Sequence, residues 1–271
     1  EVVWGDTSKH LPWSCIQGGS MTTHAHTRSN WAAGLDAKRK LQEIAARDLG
    51  GSPDSYDVAD GRVFRRGNRS QGMTFARAAE RAIALGGQYD GTELPEGIND
   101  MTVTSGKALA GLGLMGVAKD NFETGGRNMS YAIGFAEVEV DLETGSIQLK
   151  DYKVASDAGT ILNPLLFDGQ VHGGIAQGAG QILMENVSYD PESGQLLSGS
   201  FMDYVMPRAD DFCHFELDTN EVRTEHNPLG AKGVGEAGTV GSMPAVMNAV
   251  NNALHRIGAA QVEMPASAEK V

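Results

Sequence analysis

The chain has 271 residues, enough for one large or two small domains around a substantial core. Its formal net charge of −13 and lack of a basic stripe exclude a surface built for nucleic acid, which needs clustered Lys and Arg to displace counterions. Two cysteines, Cys15 and Cys213, are too few for a disulfide framework, a tetrahedral zinc site or an iron–sulfur cluster, so any such centre must sit on another chain.

No apolar run is long enough to span a bilayer and no signal-like segment is present, so the expectation is a cytoplasmic chain without a membrane span. Glycine, with 35 residues, is nearly twice its usual share and favours tight loops and close backbone packing.

Glu1-Val2-Val3-Trp4-Gly5-Asp6 lacks an initiator Met and reads as the middle of a strand, the mark of a piece of something longer. A loop from Pro12 to Thr23 carries Gln17-Gly18-Gly19-Ser20-Met21, with Cys15 beside it. Trp31, Leu35, Leu41, Ile44, Ala45 and Leu49 fall near helical spacing and predict a helix over 27–49, stopped by Gly50-Gly51. A short strand at Val63-Phe64 and a helix over 74–85 follow. Leu94 to Asn128 is polar, Gly-rich and weakly periodic, and reads as a long excursion.

Ala136, Val138 and Val140 alternate with acids, and Thr144-Gly145 turns the chain toward Ile147 and Leu149: a hairpin. Asn163-Pro164 opens a helix reaching about Asn186, in which Gly169, Gly173, Gly174, Gly178 and Gly180 replace larger residues. Each interior glycine costs about 1 kcal/mol, so another backbone or a large ligand is expected to press there. Ser242 and Pro244 predict the start of a last helix with Val246, Ala249, Val250, Ala253 and Ile257 on its inner face. Mixed helices and hairpin strands predict an α+β class.

The chemistry concentrates in Gly230 to Gly238, where four glycines surround Glu236. Glycines let a ligand approach the backbone while one carboxylate projects as a candidate base. Gly233, Gly235 and Gly238, like Gly111, Gly113 and Gly116, match a dinucleotide fingerprint by letter, but no strand pattern precedes the first set, where Glu236 would repel a pyrophosphate, and no apolar helix follows the second. A nucleotide-dependent dehydrogenase is therefore the weaker reading. His172, the pair His24 and His26, and Asp203 with Tyr204 read more readily as structural than as catalytic or metal-binding, and no direct protein ligand to a metal is expected.

Asp157 to Pro164, Gly169 to Gly178, Ser200 to Tyr204 and Gly233 to Glu236 stand in an order and spacing that resembles the C-terminal half of the molybdopterin-binding large subunit of the molybdenum hydroxylases, the group of xanthine dehydrogenase, aldehyde oxidase and aerobic carbon monoxide dehydrogenase. The resemblance covers nearly all of residues 1–271, with sub-lobes 1–130 and 131–271. It implies a mixed α/β molybdopterin-binding domain with Glu236 as general base beside the molybdenum. It implies cofactor contacts from Gln17, Gly18, Gly19, Ser20, Met21, Gln177 and Gly235.

The implied cofactor is molybdenum–molybdopterin, in its plain or cytosine dinucleotide form, with [2Fe-2S] and FAD on partner chains. The implied reaction inserts water-derived oxygen at an electrophilic carbon of a small molecule, an aldehyde or N-heteroaromatic, or oxidises carbon monoxide. The implied partners are the preceding half of the subunit, an iron–sulfur subunit and a flavin subunit. Ala237 departs from the proline common in this family. The competing expectation is a non-catalytic structural half, for which a carboxylate between glycines has no use.

Overall fold

The computed structural model describes residues 3–14, 16–120, 122–123 and 126–271. Glu1, Val2 and Cys15 lie outside the described residues. Val3 to Asp6 form no strand, contrary to expectation, and lead into a single 3₁₀ turn at Thr7–Lys9. The chain divides into two compact units, Glu1–Ile16 with Ala25–Gly125, and Gln17–His24 with Gly126–Val271.

Helix α1 (Thr22–Leu49) begins five residues before its predicted start, because its first turns are polar. Trp31 and Leu35 remain 46% and 42% exposed, so the predicted inner stripe holds only from Leu41 onward. In the first unit Leu41, Ile44 and Ala45 pack on Tyr56, Val63, Ala78 and Ala82. These come from an antiparallel sheet of β1 (Tyr56–Ala59), β2 (Arg62–Arg65) and β3 (Asn68–Thr74), and from α2 (Phe75–Leu85), whose start Thr74 caps. Asp60-Gly61, both at positive φ, make the tight β1–β2 turn that Asp-Gly pairs favour.

The excursion from Leu94 hides a helix, α3 (Asp100–Leu109), capped by the Asn99 side chain. Its Thr, Val and Gly residues weaken the helical signal. Beyond it the backbone is tied to α1: the buried Lys40 ammonium lies 2.6 Å from Asp36 and donates to Met115 O at 2.9 Å, and Asp36 accepts from Val117 N at 2.9 Å.

The second unit is a three-stranded sheet under two helices. Strands β4 (Tyr131–Val140) and β5 (Ile147–Asp157) form the predicted hairpin, paired from Tyr131↔Asp157 to Val140↔Ile147. Strand β6 (Phe215–Thr219) joins β5 in parallel. Leu149, Tyr152 and Val154 bury against Phe167, Val171, Ile175, Ala179 and Ile182 of α4 (Pro164–Leu183) and Val246 of α5 (Ala237–Arg256). Asn163 caps α4 through Leu166 N, and Pro164 needs no partner at the first helical position.

Glycine sets how closely α4 and α5 approach. A Cβ on Gly174 would stand 2.9 Å from Gly238 Cα, one on Gly178 would stand 2.0 Å from Ser242 Oγ, and one on Gly238 would stand 2.5 Å from Val171 O. The pressure expected on α4 is thus the backbone of α5, at two of its glycines; Gly169 and Gly173 face nothing within 4 Å. Helix α5 begins six residues earlier than predicted, its N-cap at Glu236 and not Ser242. Ser242 is a buried interior residue whose hydroxyl donates to Thr239 O. The buried face runs Gly238, Ser242, Val246, Val250 and Leu254, whereas Ile257 is exposed.

Candidate functional site

Two loops meet where α1 and α5 begin. Asn227, almost fully buried, organises the second loop: its carbonyl oxygen accepts from Leu229 N and Ala231 N, and its amide donates to Ala231 O at 2.7 Å. Its amide nitrogen also lies 3.3 Å from His24 Nδ1, which gives that buried histidine a structural place. Lys232 N donates to Ala158 O and Thr160 N to Gly230 O, tying the loop to the end of β5.

Below these bonds lies a buried ion pair, Lys232 Nζ to Asp157 Oδ2 at 2.5 Å, with side chains 9% and 10% exposed. Burial works to raise the Asp157 pKa, but the Lys232 hydrogen bond, the N–H groups of Gly159 and Val222 and the Lys232 charge outweigh it. The carboxyl therefore titrates below the ordinary aspartate value.

The pinned loop carries Glu236 to Ser20. The Ser20 hydroxyl accepts from Glu236 N at 3.0 Å and lies 3.2 Å from Glu236 Oε2, to which it donates. Gly233 is the seat of this contact, since a Cβ there would stand 2.0 Å from Ser20 O. Two hollows open on either side. One, of about 370 Å³, is lined by Gln17, Gly18, Gly19, Thr22, Gln170 and Gly235, among others. The second, of about 450 Å³, is lined by Tyr131, Gly134, Val240, Gly241, Pro244 and Asn248, among others. Ser20 and Glu236 line both, and among the described lining residues Glu236 is the one acidic or basic side chain.

The first hollow has the character of a cradle for a polar ring system. A Cβ on Gly235 would meet only Gln170 Oε1 and Ser20 Oγ, both at 3.7 Å, so it would stand in the hollow itself. Gln17 and Gln170 offer amides that donate and accept, and Thr22 and Thr23 bring the first turn of α1, whose N–H groups have no acceptor within the helix, to the hollow. This neutral donor set suits a pterin-like heterocycle better than a metal ion held directly by protein, and no cluster of three metal-ligating side chains occurs among the described residues.

Of the residues singled out in the sequence, Gln17, Gly18, Gly19, Ser20, Gly235 and Glu236 are brought together. Met21 stands at the rim of this group, its N–H directed to Gly18 O at 3.4 Å. Gln177 lies on neither hollow; its carbonyl oxygen accepts from Thr239 Oγ1 at 3.3 Å. Gln170, two helical turns earlier, lines the first hollow instead. The signal available in the sequence was the seven-residue spacing of the two glutamines, which puts both on one side of α4 and leaves open which one the loops reach.

His172 is exposed and lies against Phe215, and Tyr204 donates to Glu185 Oε2 at 2.6 Å, so both have structural partners. Beneath the second hollow the Tyr152 hydroxyl is buried against Gly134, and burial pushes its pKa up to about 12.

Comparisons with known proteins identify the family. The model of the molybdopterin cofactor-binding domain matches residues 1–213. The chain is 37% identical over 140 residues to the carbon monoxide dehydrogenase large chain of Afipia carboxidovorans, covering 51% of this chain and 17% of that one. It is 30% identical over 234 residues to the nicotine 6-hydroxylase large subunit of Paenarthrobacter nicotinovorans, covering 86% and 26%.

Among solved structures it is similar to a Cu,Mo-CO dehydrogenase, with a TM-score of 0.70 at 27% identity over 97% of this chain and 30% of that one. It is also similar to quinoline 2-oxidoreductase from Pseudomonas putida, with a TM-score of 0.63 at 28% identity over 86% and 27%. The chain thus spans less than a third of the length of these relatives. No helix among the described residues is long and apolar enough to cross a membrane. Fold and matched residues agree: the chain belongs to the molybdopterin cofactor-binding domain family of the molybdenum hydroxylases.

Proposed function

We propose that this chain supplies the base-bearing wall of the catalytic centre in a molybdenum-dependent hydroxylase or dehydrogenase. The observation that carries this reading is Glu236, the lone acidic or basic side chain among the described residues lining two adjoining hollows, beside a glycine whose Cβ would stand in one of them. When bound, a molybdenum–molybdopterin group supplies Lewis-acid activation of water and a two-electron sink.

The residues of this chain do the rest. The backbone of Gly18, Gly19 and Gly235 lets the pterin lie close, and the amides of Gln17 and Gln170 orient it. The backbone amides of Ser20 and Met21 and the side chain of Gln177 complete the set that the family resemblance carries. Glu236, ionised, takes the proton released as oxygen is transferred to the substrate carbon. The substrate is a small molecule with an electrophilic carbon: an aldehyde, an N-heteroaromatic or carbon monoxide. Electrons leave through [2Fe-2S] and FAD on partner chains in a cytoplasmic complex that includes the remainder of the molybdopterin subunit; the pterin is held in its plain or cytosine dinucleotide form.

The test is Glu236→Gln in the assembled enzyme. Molybdenum and pterin content stay near normal while turnover falls by about 10²–10⁴ or more, the usual cost of losing a general base. Turnover near wild type at full molybdenum occupancy would overturn the assignment.

A further inference from the structure

We infer that Ser20 is the positioning residue of Glu236, holding its carboxylate at the junction of the two hollows through a hydroxyl that binds both its backbone and its side chain. The inference rests on the reading of Glu236 as the base. A hydroxyl has one proton and two acceptor lone pairs. With a lone pair taken by Glu236 N–H at 3.0 Å, the proton is free for Glu236 Oε2 at 3.2 Å. The first bond fixes Ser20 to the N-cap of α5. The second is longer than a typical hydroxyl bond and acts on the ionised carboxylate, which can only accept.

The backbone gives an independent reason to think the side chain matters. Ser20 sits at φ 55, a conformation glycine adopts without strain, directly after Gly19 at φ 62. The other described non-glycine residues at positive φ, His10 and Asp60, close a 3₁₀ turn and a hairpin locally. The partner of Ser20 lies 216 residues away. A glycine at position 20 would relax the turn and lose the hydroxymethyl group, so the strain is tolerated where the hydroxyl reaches Glu236. Gly233 completes the device by letting the Ser20 backbone lie against the loop that carries Glu236.

Ser20→Gly separates positioning from folding, because it removes the hydroxyl while easing the backbone. The assembled enzyme is assayed with its best substrate among aldehydes, N-heteroaromatics and carbon monoxide, using a dye acceptor. Molybdenum content, melting temperature and a crystal structure are determined alongside.

The expected result is retained molybdenum and melting temperature, with kcat lowered roughly 10–100-fold, the usual cost of losing a supporting partner of an active-site group. The acid limb of the kcat/KM profile moves to higher pH, and the Glu236 carboxylate occupies more than one rotamer. In a Glu236→Gln background Ser20→Gly costs nothing further. Wild-type kcat with an unmoved profile in Ser20→Gly, while Glu236→Gln is inactive, overturns the inference alone. So does a loss of molybdenum or a lowered melting temperature in Ser20→Gly, which would make Ser20 a cofactor or folding residue. Turnover retained in Glu236→Gln overturns the reading of the base itself, and the inference with it.

Discussion

Replacing Lys232 with Met tests whether the loop that carries Glu236 is held by the buried pair beneath it. The substitution keeps the aliphatic stem and removes the charge, leaving Asp157 ionised and buried with only the Gly159 and Val222 N–H groups, at 2.9 and 3.1 Å. Side chains only 9% and 10% exposed put this pair in the class whose breaking costs about 3–5 kcal/mol, well above the ≲1 kcal/mol of a surface pair. For a unit of roughly 150 residues, at about 2–4 °C per kcal/mol, melting should fall by about 6–20 °C.

The pH dependence has a definite sign. The folded Asp157 titrates below its ordinary value, so its contribution is fully present above the unfolded aspartate range and is lost as pH falls through the folded value. In Lys232→Met the opposing desolvation is less compensated, so acid destabilisation begins at higher pH than in wild type. Adding Asp157→Asn should recover part of the loss, because it removes the stranded charge. The assay is thermal melting of the assembled enzyme across acid pH, with molybdenum content measured in parallel. A loss below about 1 kcal/mol, or a deficit that does not change with pH, would refute the argument.

Two further comparisons follow from the loops. Gly235→Ala lowers pterin and molybdenum content with little change in melting temperature, whereas Gly233→Ala lowers melting temperature because its Cβ meets Ser20 O at 2.0 Å; equal effects of the two in both measurements would reject the distinction. Gln170→Ala lowers pterin content more than Gln177→Ala, since only the former lines the hollow; the reverse order, read by pterin extraction, would return the contact to Gln177.

The parts of the fold that were legible are those where local pattern and tertiary role coincide. The β4–β5 hairpin alternates because one face packs on α4 and α5, and α4 announces itself by Asn163-Pro164. What stayed hidden was hidden for physical reasons. α1 and α5 begin in segments whose helical conformation comes from tertiary contact: polar residues at the start of α1, and Gly238 in α5, chosen for approach to α4 at a cost in intrinsic helicity. α3 is masked by β-branched residues and Gly106, which packs against Leu94. Most of the candidate site was readable because its residues lie in two short contiguous loops. The choice between Gln170 and Gln177 was not, because it depends on where along α4 those loops land.

The glycines of the loop that carries Glu236 show how far packing alone accounts for one motif. Gly238 is fixed by α4, and Gly233 is fixed by Ser20: in each case a Cβ would come within 2.5 Å of a backbone oxygen. Neither requires a ligand to explain it. Gly235 differs, since the nearest atoms to a Cβ there are 3.7 Å away and its φ is not positive, so neither sterics nor backbone conformation demands glycine. The α4–α5 crossing determines where α5 starts, the start determines where Glu236 stands as N-cap, and the residue before it is left bare facing the hollow. A G-x-G-E-x-G string read by letter treats its three glycines alike, yet two are explained by the protein's own packing and the third is not.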